Sequence, residues 1–431
     1  EFSDYLKADF LRDEAASYIA AAADLRDLVE RLSLMAGKEV VPGKTLVFFD
    51  EIQEAPNLFA LSKFLVQDGR FRLVMSGSLL GIKLKQARSY PVGYLSTLTM
   101  RPLDFEEFCR AQNVPQSLMD TLARHFASKA PLEQTLHERL IRLFRIYIVV
   151  GGMPEAVSRY LDTQGDLGAV RDVHTALIEN YRRDIAKHAG NRTLQVEAIF
   201  DAIPSQLDKE NKRFELRTLK EKAVFERYAN DFAWLVAAQA ALKTNSVAEP
   251  RCPLKRTEEP ARFKLYAGDT GMLSARYPLT VPMAVIAGDK SVNFGGVYEN
   301  AVAQELVAAR VVPRYFRQSK VGEVDFIAET PTRQVVPIEV KSGKTYKRHV
   351  ALNNLLKSDE FDVPEAYVLS EANLSVSEVA GKTVTYLPLY LLPFLARTFA
   401  TEGLSSNEEL SRMGLDPSSL KVPAPDFTEF E

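Results

Sequence analysis

The strongest constraint in this sequence of 431 residues is an uninterrupted apolar run, Leu46–Phe49, that ends in an acidic pair. An apolar run without polar alternation is typical of a strand that is covered on both faces, as in a parallel α/β sheet. A helical pattern follows at Leu58–Gln67, and a second apolar run follows at Phe71–Met75. This strand–helix–strand order predicts βαβ units, with Leu95–Met100 as a third strand.

The acidic pair after the first strand, Asp50 and Glu51, indicates a chemical role. A buried strand that ends in Asp places the carboxylate at the carboxyl edge of the sheet, where open α/β folds bind ligands. There Asp50 would hold Mg²⁺ through water, and Glu51 would orient or deprotonate an attacking water. Apolar strands followed by two acids also occur at surface turns, so the pair alone leaves both interpretations open.

The second apolar run ends in small polar residues, Ser76-Gly77-Ser78. A group that senses the terminal phosphate of a nucleotide would lie at this position, and Ser76 or Ser78 would provide it. Either serine would serve equally well as the cap of the next helix, since Ser is a preferred N-cap residue.

A second set of charged residues lies in two apolar stretches nearer the C-terminus. Asp325 interrupts the first stretch, and Glu339 and Lys341 lie two residues apart in the second. Residues two apart on a strand share a face, and a hairpin between the stretches would bring all three side chains together. Such carboxylates hold Mg²⁺ or Mn²⁺, which polarises a phosphate and activates water, while the lysine stabilises the developing charge.

These three residues resemble the PD-(D/E)xK nuclease pattern, with Asp325 as D and Glu339-Val340-Lys341 as E-x-K. Glu299 matches the additional helix carboxylate often seen in that superfamily, so the resemblance implies Glu299, Asp325 and Glu339 as metal ligands. The alternative is a surface hairpin with solvated ion pairs, each worth only ~0–1 kcal/mol. Charges within apolar strands are costly unless they have partners or a role, which favours a site. A fold that serves recognition without turnover stays open.

Taken together, the motifs resemble the large prokaryotic family of AAA-type ATPases that carry a C-terminal domain of unknown function 4143. The matching segments are residues 46–53 (a Walker B strand), 75–80, 100–108, 151–155 and the C-terminal motif. The resemblance implies an α/β multidomain fold with a P-loop-type AAA core, a helical lid, a winged helix and a C-terminal α/β restriction-endonuclease-like domain. The predicted segments are the AAA core without Walker A (1–110), the lid (111–190), the winged-helix-like domain (191–290), the PD-(D/E)xK nuclease-like domain (291–400) and a loose C-terminal tail (401–431).

The printed sequence lacks the glycine-rich loop G-x-x-x-x-G-K-[ST], whose backbone N–H groups cradle phosphates. Gly43-Lys44-Thr45 does not supply it, because Gly37 is one residue too far upstream and Pro42 precedes the glycine. A strand, rather than a helix, also follows it. We expect the loop to lie upstream of Glu1, and the chain as written to bind ATP with Mg²⁺ poorly or not at all.

Arg101 is the candidate phosphate-sensing or finger arginine by the same resemblance. A structural arginine paired with Asp104 or Glu106 is the alternative. Both interpretations stay open at the level of the sequence.

Charge limits the partners of this chain. Lys and Arg number 54 against 57 Asp and Glu, a net charge of −3, so contact with nucleic acid requires a local patch. The segment Arg310–Val350 has nine basic and four acidic residues and is the candidate, because basic clusters attract phosphate backbones. Such clusters are also common on solvated surfaces. The sequence leaves open whether the chain binds protein partners or forms an oligomer.

Two cysteines and the lack of an apolar run near ~20 residues predict a cytoplasmic protein without a membrane span. The leading hypothesis is an AAA-type ATPase coupled to a metal-dependent, nuclease-like domain that contacts nucleic acid. The alternative is a non-enzymatic regulatory or scaffold protein in which both sites are vestigial.

Overall fold

The computed structural model describes residues 4–12, 14–37, 44–69, 72–77, 94–289, 291, 294–343 and 345–399. The chain divides into two compact units, Glu1–Met100 and Arg101–Glu431, here called the N-terminal and C-terminal units. Ser78 and the predicted tail at 401–431 lie outside the described residues.

The N-terminal unit contains a parallel sheet in the order β1-β2-β3, with helices between its strands. Two predicted strands and the predicted helix between them are confirmed. The prediction of a strand at Leu95–Met100 is wrong: these residues are irregular, and the side chains of Leu98 and Met100 are exposed. The elements are β1 (Asp4–Asp9), α1 (Glu14–Ala20), α2 (Leu25–Ala36), β2 (Thr45–Asp50), α3 (Pro56–Asp68) and β3 (Arg72–Met75).

Burial on this sheet differs from the expected cover on both faces. Along β2, Val47 and Phe49 are buried, while Leu46 and Phe48 on the other face are half-buried. The buried face packs with apolar residues of α1, α2 and α3 in one core. Tyr5 of β1 and Val74 of β3, by contrast, are exposed. Within the described residues, the helices therefore cover one face of the sheet more fully than the other.

The C-terminal unit begins with helices and continues into a mixed sheet. Its helices are α4 (Phe105–Ala111), α5 (Gln116–Ser128), α6 (Gln134–Val150), α7 (Pro154–Asp162), α8 (Leu167–His188), α9 (Thr193–Leu207), α10 (Phe225–Ala237), α11 (Thr270–Ser274), α12 (Thr280–Ala287), α13 (Gly295–Ala308), α14 (Val350–Lys357) and α15 (Leu392–Phe399). Its strands are β4 (Ala241–Val247), β5 (Glu258–Ala267), β6 (Arg314–Gln318), β7 (Gly322–Glu329), β8 (Val335–Val340), β9 (Glu365–Ser370), β10 (Ser375–Val379) and β11 (Lys382–Pro388).

The strands of the C-terminal unit form a sheet in the order β10-β11-β9-β8-β7-β6-β4-β5. The hairpin of β7 and β8 predicted from the sequence is present, with Phe326 opposite Ile338. Strands β4 and β5 lie in the segment predicted as a winged helix, yet they extend this same sheet through a parallel pairing of β4 with β6. The predicted segments 191–290 and 291–400 therefore share one sheet, and the winged-helix assignment stays a prediction.

Helix α13 forms the centre of the C-terminal unit. Its residues from Gly296 to Leu306 are buried, which explains a sequence that is apolar on most sides. It contacts α6, α9, α11 and α15 as well as β4, β5 and β8. A polar side chain on this helix must therefore find its partners inside the protein.

Candidate functional sites

The first predicted site lies at the carboxyl end of β2. The Ser76 hydroxyl, which follows β3, donates a hydrogen bond to the carboxylate of Asp50. The ammonium Nζ of Lys7, from β1, lies 2.7 Å from Asp50 Oδ2. Lys7 and then Ser76 lower the pKa of Asp50 below its ordinary value, so this carboxylate is ionised at neutral pH. The structure thus brings Asp50 and Ser76 together, as predicted.

Glu51 has an unusual backbone conformation. Its φ is 55°, in the left-handed region, which costs a residue with a Cβ atom about 1–2 kcal/mol. The Ile52 amide donates to the Ser76 carbonyl at 3.0 Å, which holds this turn against the end of β3. The Gln53 amide group donates to the Glu51 carboxylate. Strained residues of this kind cluster at functional sites, and here the strain lies directly beside Asp50.

Arg101 belongs to the C-terminal unit and is half-buried. Of its two predicted structural partners, Glu106 pairs with Arg110 and Arg397. The other, Asp104, caps α4 by accepting the Glu107 amide at 2.8 Å. The assignment of Arg101 as a phosphate sensor stays a prediction.

The second predicted site assembles in the C-terminal unit. Glu299, Asp325 and Lys341 line one cleft of about 700 Å³, at the end of the sheet where β7 begins and β8 ends. Asp325 Oδ2 accepts the Val340 amide at 2.9 Å, which ties the two strands together at this point. Lys341 Nζ lies 2.6 Å from Oε1 of Glu339, whose side chain is buried. All four predicted residues therefore lie close together.

A further residue of this site, Lys264 of β5, was missed by the sequence analysis. Its side chain is 0% exposed. The ammonium lies 2.9 Å from Glu323 Oε1, 3.2 Å from Glu299 Oε2 and 3.6 Å from Asp325 Oδ1. A buried lysine thus lies among three carboxylates supplied by α13 and β7.

The carboxylate of Glu299 has further partners on both oxygens. Lys212 Nζ lies 2.8 Å from Oε1, and the Tyr266 hydroxyl donates to Oε2 at 2.9 Å. Burial alone would raise the pKa of Glu299, but the charges of Lys264 and Lys212 outweigh it and hold that pKa below its ordinary value. Burial also opposes the charge of Lys264, yet the surrounding carboxylates, Glu299 first, raise its pKa well above the ordinary range.

Asp325 is in the opposite electrostatic situation. Burial, followed by the charges of Glu299 and Glu339, raises the pKa of Asp325 well above its ordinary value. Lys264 and the Val340 amide act in the other direction without reversing the shift. Repulsion between carboxylates in a buried site favours the protonated form, which is the direction of the shift at Asp325.

This arrangement does not fit the divalent ion predicted at Glu299, Asp325 and Glu339. Mg²⁺ requires several oxygens that converge at 2.0–2.1 Å, whereas here the ammonium of Lys264 lies among the oxygens of Glu299 and Asp325. Within the described part of the chain, no group of three or more His, Cys, Asp or Glu side chains is arranged to hold a metal ion. The prediction of a metal site failed to include Lys264 because this residue lies in the segment predicted as winged-helix-like (191–290), apart from the predicted ligands.

The structure divides the predicted basic segment Arg310–Val350 between several places. Arg314 is buried and paired with Glu258, and Arg333 lies in the turn at the end of the β7–β8 hairpin away from Lys341. Lys344 lies outside the described residues. The exposed residues Arg317, Lys320, Lys347 and Arg348 are together called the basic rim here, and of these Arg317 lines the cleft.

Packing between two segments brings the basic rim together. The side-chain amide of Asn354, in α14, donates to the Val321 carbonyl at 3.1 Å. The turn before β7 carries Lys320, and Lys347 and Arg348 precede His349, the residue before α14. This contact therefore places the two basic stretches side by side.

Comparison with known protein families gives matches over three segments of the chain. Residues 3–109 match the AAA domain, and residues 294–392 match the domain of unknown function DUF4143. The chain therefore carries separate matches to an AAA domain and to DUF4143. Residues 141–281 match a third domain of unknown function, DUF8612, which spans the predicted boundary between lid and winged helix.

Among solved structures, the Walker-type ATPase PABY2304 of Pyrococcus abyssi is similar at 14% identity and a TM-score of 0.37. The similarity covers 64% of this chain and 84% of that one. No curated protein matches the sequence. Within the described residues, no helix combines the length and the apolar character that crossing a membrane requires.

Proposed function

We propose that the N-terminal unit contributes the acidic half of an Mg²⁺·ATP site in an ATP-hydrolysing protein. The observation that carries this proposal is the strained Glu51 beside Asp50 at the carboxyl end of a parallel strand, with Ser76 on Asp50. Asp50 would hold Mg²⁺ through water, and Glu51 would orient the attacking water. The match of residues 3–109 to the AAA domain supports this proposal.

The ion pair of Asp50 with Lys7 does not oppose such a role. The Lys7 side chain is 45% exposed, and exposed ion pairs contribute about 0–1 kcal/mol. A hydrated Mg²⁺ ion would displace this ammonium at small cost, and Lys7 would return to water. Asp50 is already ionised in the form a metal site requires.

The test compares Asp50→Asn and Glu51→Gln with the unchanged protein, each as the natural host produces it. Asp50→Asn should weaken Mg²⁺-dependent ATP binding and turnover together. Glu51→Gln should keep ATP binding and slow hydrolysis by about 10²–10⁴-fold, the usual contribution of a general base. Asp9→Asn is the matched control, since Asp9 ends the neighbouring strand and pairs in register with Asp50. Unchanged binding and turnover in Asp50→Asn would contradict the proposal.

We also propose that the C-terminal unit binds the phosphate backbone of a polynucleotide along the basic rim. The observation that favours it is the contact of α14 with the turn before β7, which brings exposed lysines and arginines close to one another, while Gly322, just after that turn, lines the cleft. Inside the cleft, cations and carboxylates nearly balance, so the rim would supply the attraction. Recognition without hydrolysis is the form of this proposal that best fits the geometry around Lys264.

Fluorescence anisotropy with labelled single- and double-stranded DNA and RNA tests this second proposal. A Lys320→Gln/Lys347→Gln/Arg348→Gln variant should bind more weakly and lose about 0.9 in the slope of log K against log salt for each phosphate contact removed. The charge-matched control is Arg251→Gln/Arg333→Gln/Lys382→Gln, three basic residues at a separate cleft beyond the other end of the hairpin. Equal salt slopes in all three proteins would refute backbone binding at the rim.

The same oligonucleotides distinguish recognition from turnover. Cleavage that requires Mg²⁺ or Mn²⁺ and disappears in Lys341→Ala would favour a nuclease. Absence of both binding and cleavage would favour the regulatory or scaffold alternative. Binding without cleavage is the result we expect.

A further inference from the structure

The position of Lys264 is unusual for a lysine. It lies within the apolar run Phe263–Tyr266 of β5, and its whole side chain is buried. Burying an ammonium is expensive unless charged and polar partners replace its water. Here the partners come from two other elements, since Glu299 lies on α13 and Glu323 and Asp325 lie on β7. The ring of Tyr315 lies 5.2 Å from the same ammonium.

The oxygens that a metal ion would need are already used. Both oxygens of Glu299 are paired, Oε1 with Lys212 and Oε2 with Lys264 and Tyr266. Asp325 presents Oδ2 to the Val340 amide and Oδ1 to Lys264.

Glu339 is the third carboxylate that was predicted to bind the metal ion. Its Oε1 pairs with Lys341, while its Oε2 is buried and has no hydrogen-bond partner among the described residues. A single unpaired oxygen does not make a divalent-ion site, which requires several oxygens.

We propose that Lys264 is a built-in cation that occupies the place of a divalent metal, so that the C-terminal site works without one. The ammonium joins the carboxylates of α13 and β7 with one charge and directional N–H donors, and it keeps the floor of the cleft close to neutral. The consequence for polynucleotide binding, namely that it needs no divalent ion, rests on the second proposed function. The role of Lys264 itself does not.

Removal of the ammonium tests this role directly. Lys264→Met keeps most of the side-chain volume and leaves Glu299, Glu323 and Asp325 facing one another without their shared cation. The matched control is Lys243→Met on the neighbouring strand β4, whose ammonium lies over the rings of Phe225 and Phe263 rather than among carboxylates. Mn²⁺ is the probe, measured by its EPR signal and by calorimetry.

We expect Lys264→Met to bind Mn²⁺ at least tenfold more tightly than the wild type and the Lys243→Met control. Adding Asp325→Asn to Lys264→Met should remove the gained site. Wild-type binding of Mn²⁺ that Asp325→Asn abolishes would overturn the proposal. Equal Mn²⁺ affinity of a folded Lys264→Met variant and the wild type would also overturn it.

Two further comparisons keep the test decisive. If Lys264→Met does not fold, the wild type against Asp325→Asn decides: loss of Mn²⁺ binding overturns the proposal, and no difference supports it. Polynucleotide binding by the wild type should be equal in EDTA and in Mg²⁺, and loss in EDTA would contradict metal independence. If no polynucleotide binds in either condition, the second proposed function fails, while the Mn²⁺ comparison still decides the role of Lys264.

Discussion

Replacing Glu305 by Gln should remove a large part of the pH dependence of the stability of the C-terminal unit. Glu305 lies on the central helix α13 and is buried. Its Oε1 accepts the Phe105 amide at 2.9 Å and the Tyr147 hydroxyl at 2.6 Å, while Oε2 has no hydrogen-bond partner among the described residues. This carboxyl therefore joins α13 to the start of α4 and to α6, in surroundings that solvate a negative charge poorly.

The magnitude follows from the pKa of this group. Burial, and then the charge of Asp104, raise the pKa of Glu305 from 4.5 to about 8. A pKa that is higher in the folded state means that the folded state binds the proton more tightly. This contribution to stability is fully present below pH 4.5 and is lost as the pH rises towards 8. The loss is about 1.4 kcal/mol per pH unit, or roughly 3 kcal/mol between about pH 5.5 and 8.

The assay is urea unfolding at several pH values, followed by the fluorescence of Trp234. This is the one tryptophan of the sequence and lies in α10, so it reports on the C-terminal unit alone. Glu305→Gln keeps an amide oxygen for the Phe105 and Tyr147 donors and does not ionise. Asp104, whose pKa burial also raises, is present in both proteins, and its repulsion with Glu305 is part of the difference that the assay measures. A stability difference between the two proteins that stays constant from about pH 5.5 to 8 would refute the reasoning.

Two backbone positions give further predictions. Gly152→Ala should destabilise the C-terminal unit by at least about 2 kcal/mol in urea unfolding, because its new Cβ would lie 2.1 Å from the Leu103 carbonyl oxygen. Gly343→Ala, where nothing lies within 4 Å of the new Cβ, should stay within about 0.5 kcal/mol of the wild type, and equal losses would contradict this. At Glu51, the Gly variant should be about 1 kcal/mol more stable than the Ala variant by thermal unfolding, because its φ of 55° penalises a Cβ. A more stable Ala variant would mean that the turn is not strained.

The sequence could predict that Asp325 and Glu339 lie close together, because their proximity depends on the local geometry of one hairpin. Asp325 and Glu339 lie on two strands joined by a short turn, and the period of two fixes which side chains share a face. Assigning Glu299 to the same place required a family resemblance, since a helix separated from the hairpin in sequence gives no local signal of where it packs. At the N-terminal edge the sequence placed Asp50 and Ser76 after two strands of one sheet, and the structure joins them by a hydrogen bond.

The strand predictions were wrong where the apolar composition of a segment does not correspond to its burial in the structure. Leu95–Met100 has the composition of a strand but is irregular and largely exposed. Strand β1 was missed because only alternate residues, Leu6 and Ala8, are buried and the rest are polar or exposed. Composition measures how apolar a segment is, whereas a strand forms where a neighbouring strand offers hydrogen bonds.

Lys264 shows what sequence patterns leave undetermined. A lone charge in an apolar strand carries the same signal that drew attention to Asp325, so its importance could have been recognised. Its partners could not, because the parallel pairing of β4 with β6 brings β5 into the C-terminal sheet across a long sequence separation. Domain boundaries drawn from motifs therefore separated a lysine from the carboxylates that surround it.

In each of the two predicted metal sites, a lysine pairs with a predicted metal-binding carboxylate. The two lysines differ in burial, and therefore in how easily a metal ion could displace them. Lys7, at 45% exposure, can leave Asp50 for water at little cost, so its ion pair is compatible with later Mg²⁺ binding. Lys264, at 0% exposure, is instead enclosed by the carboxylates with which it pairs. Leaving buried carboxylates unpaired costs several kcal/mol, which holds the lysine in place. An exposed lysine on a carboxylate is thus an exchangeable counter-ion, whereas a buried one belongs to the site, and the Mn²⁺ comparison at Lys264 tests this distinction.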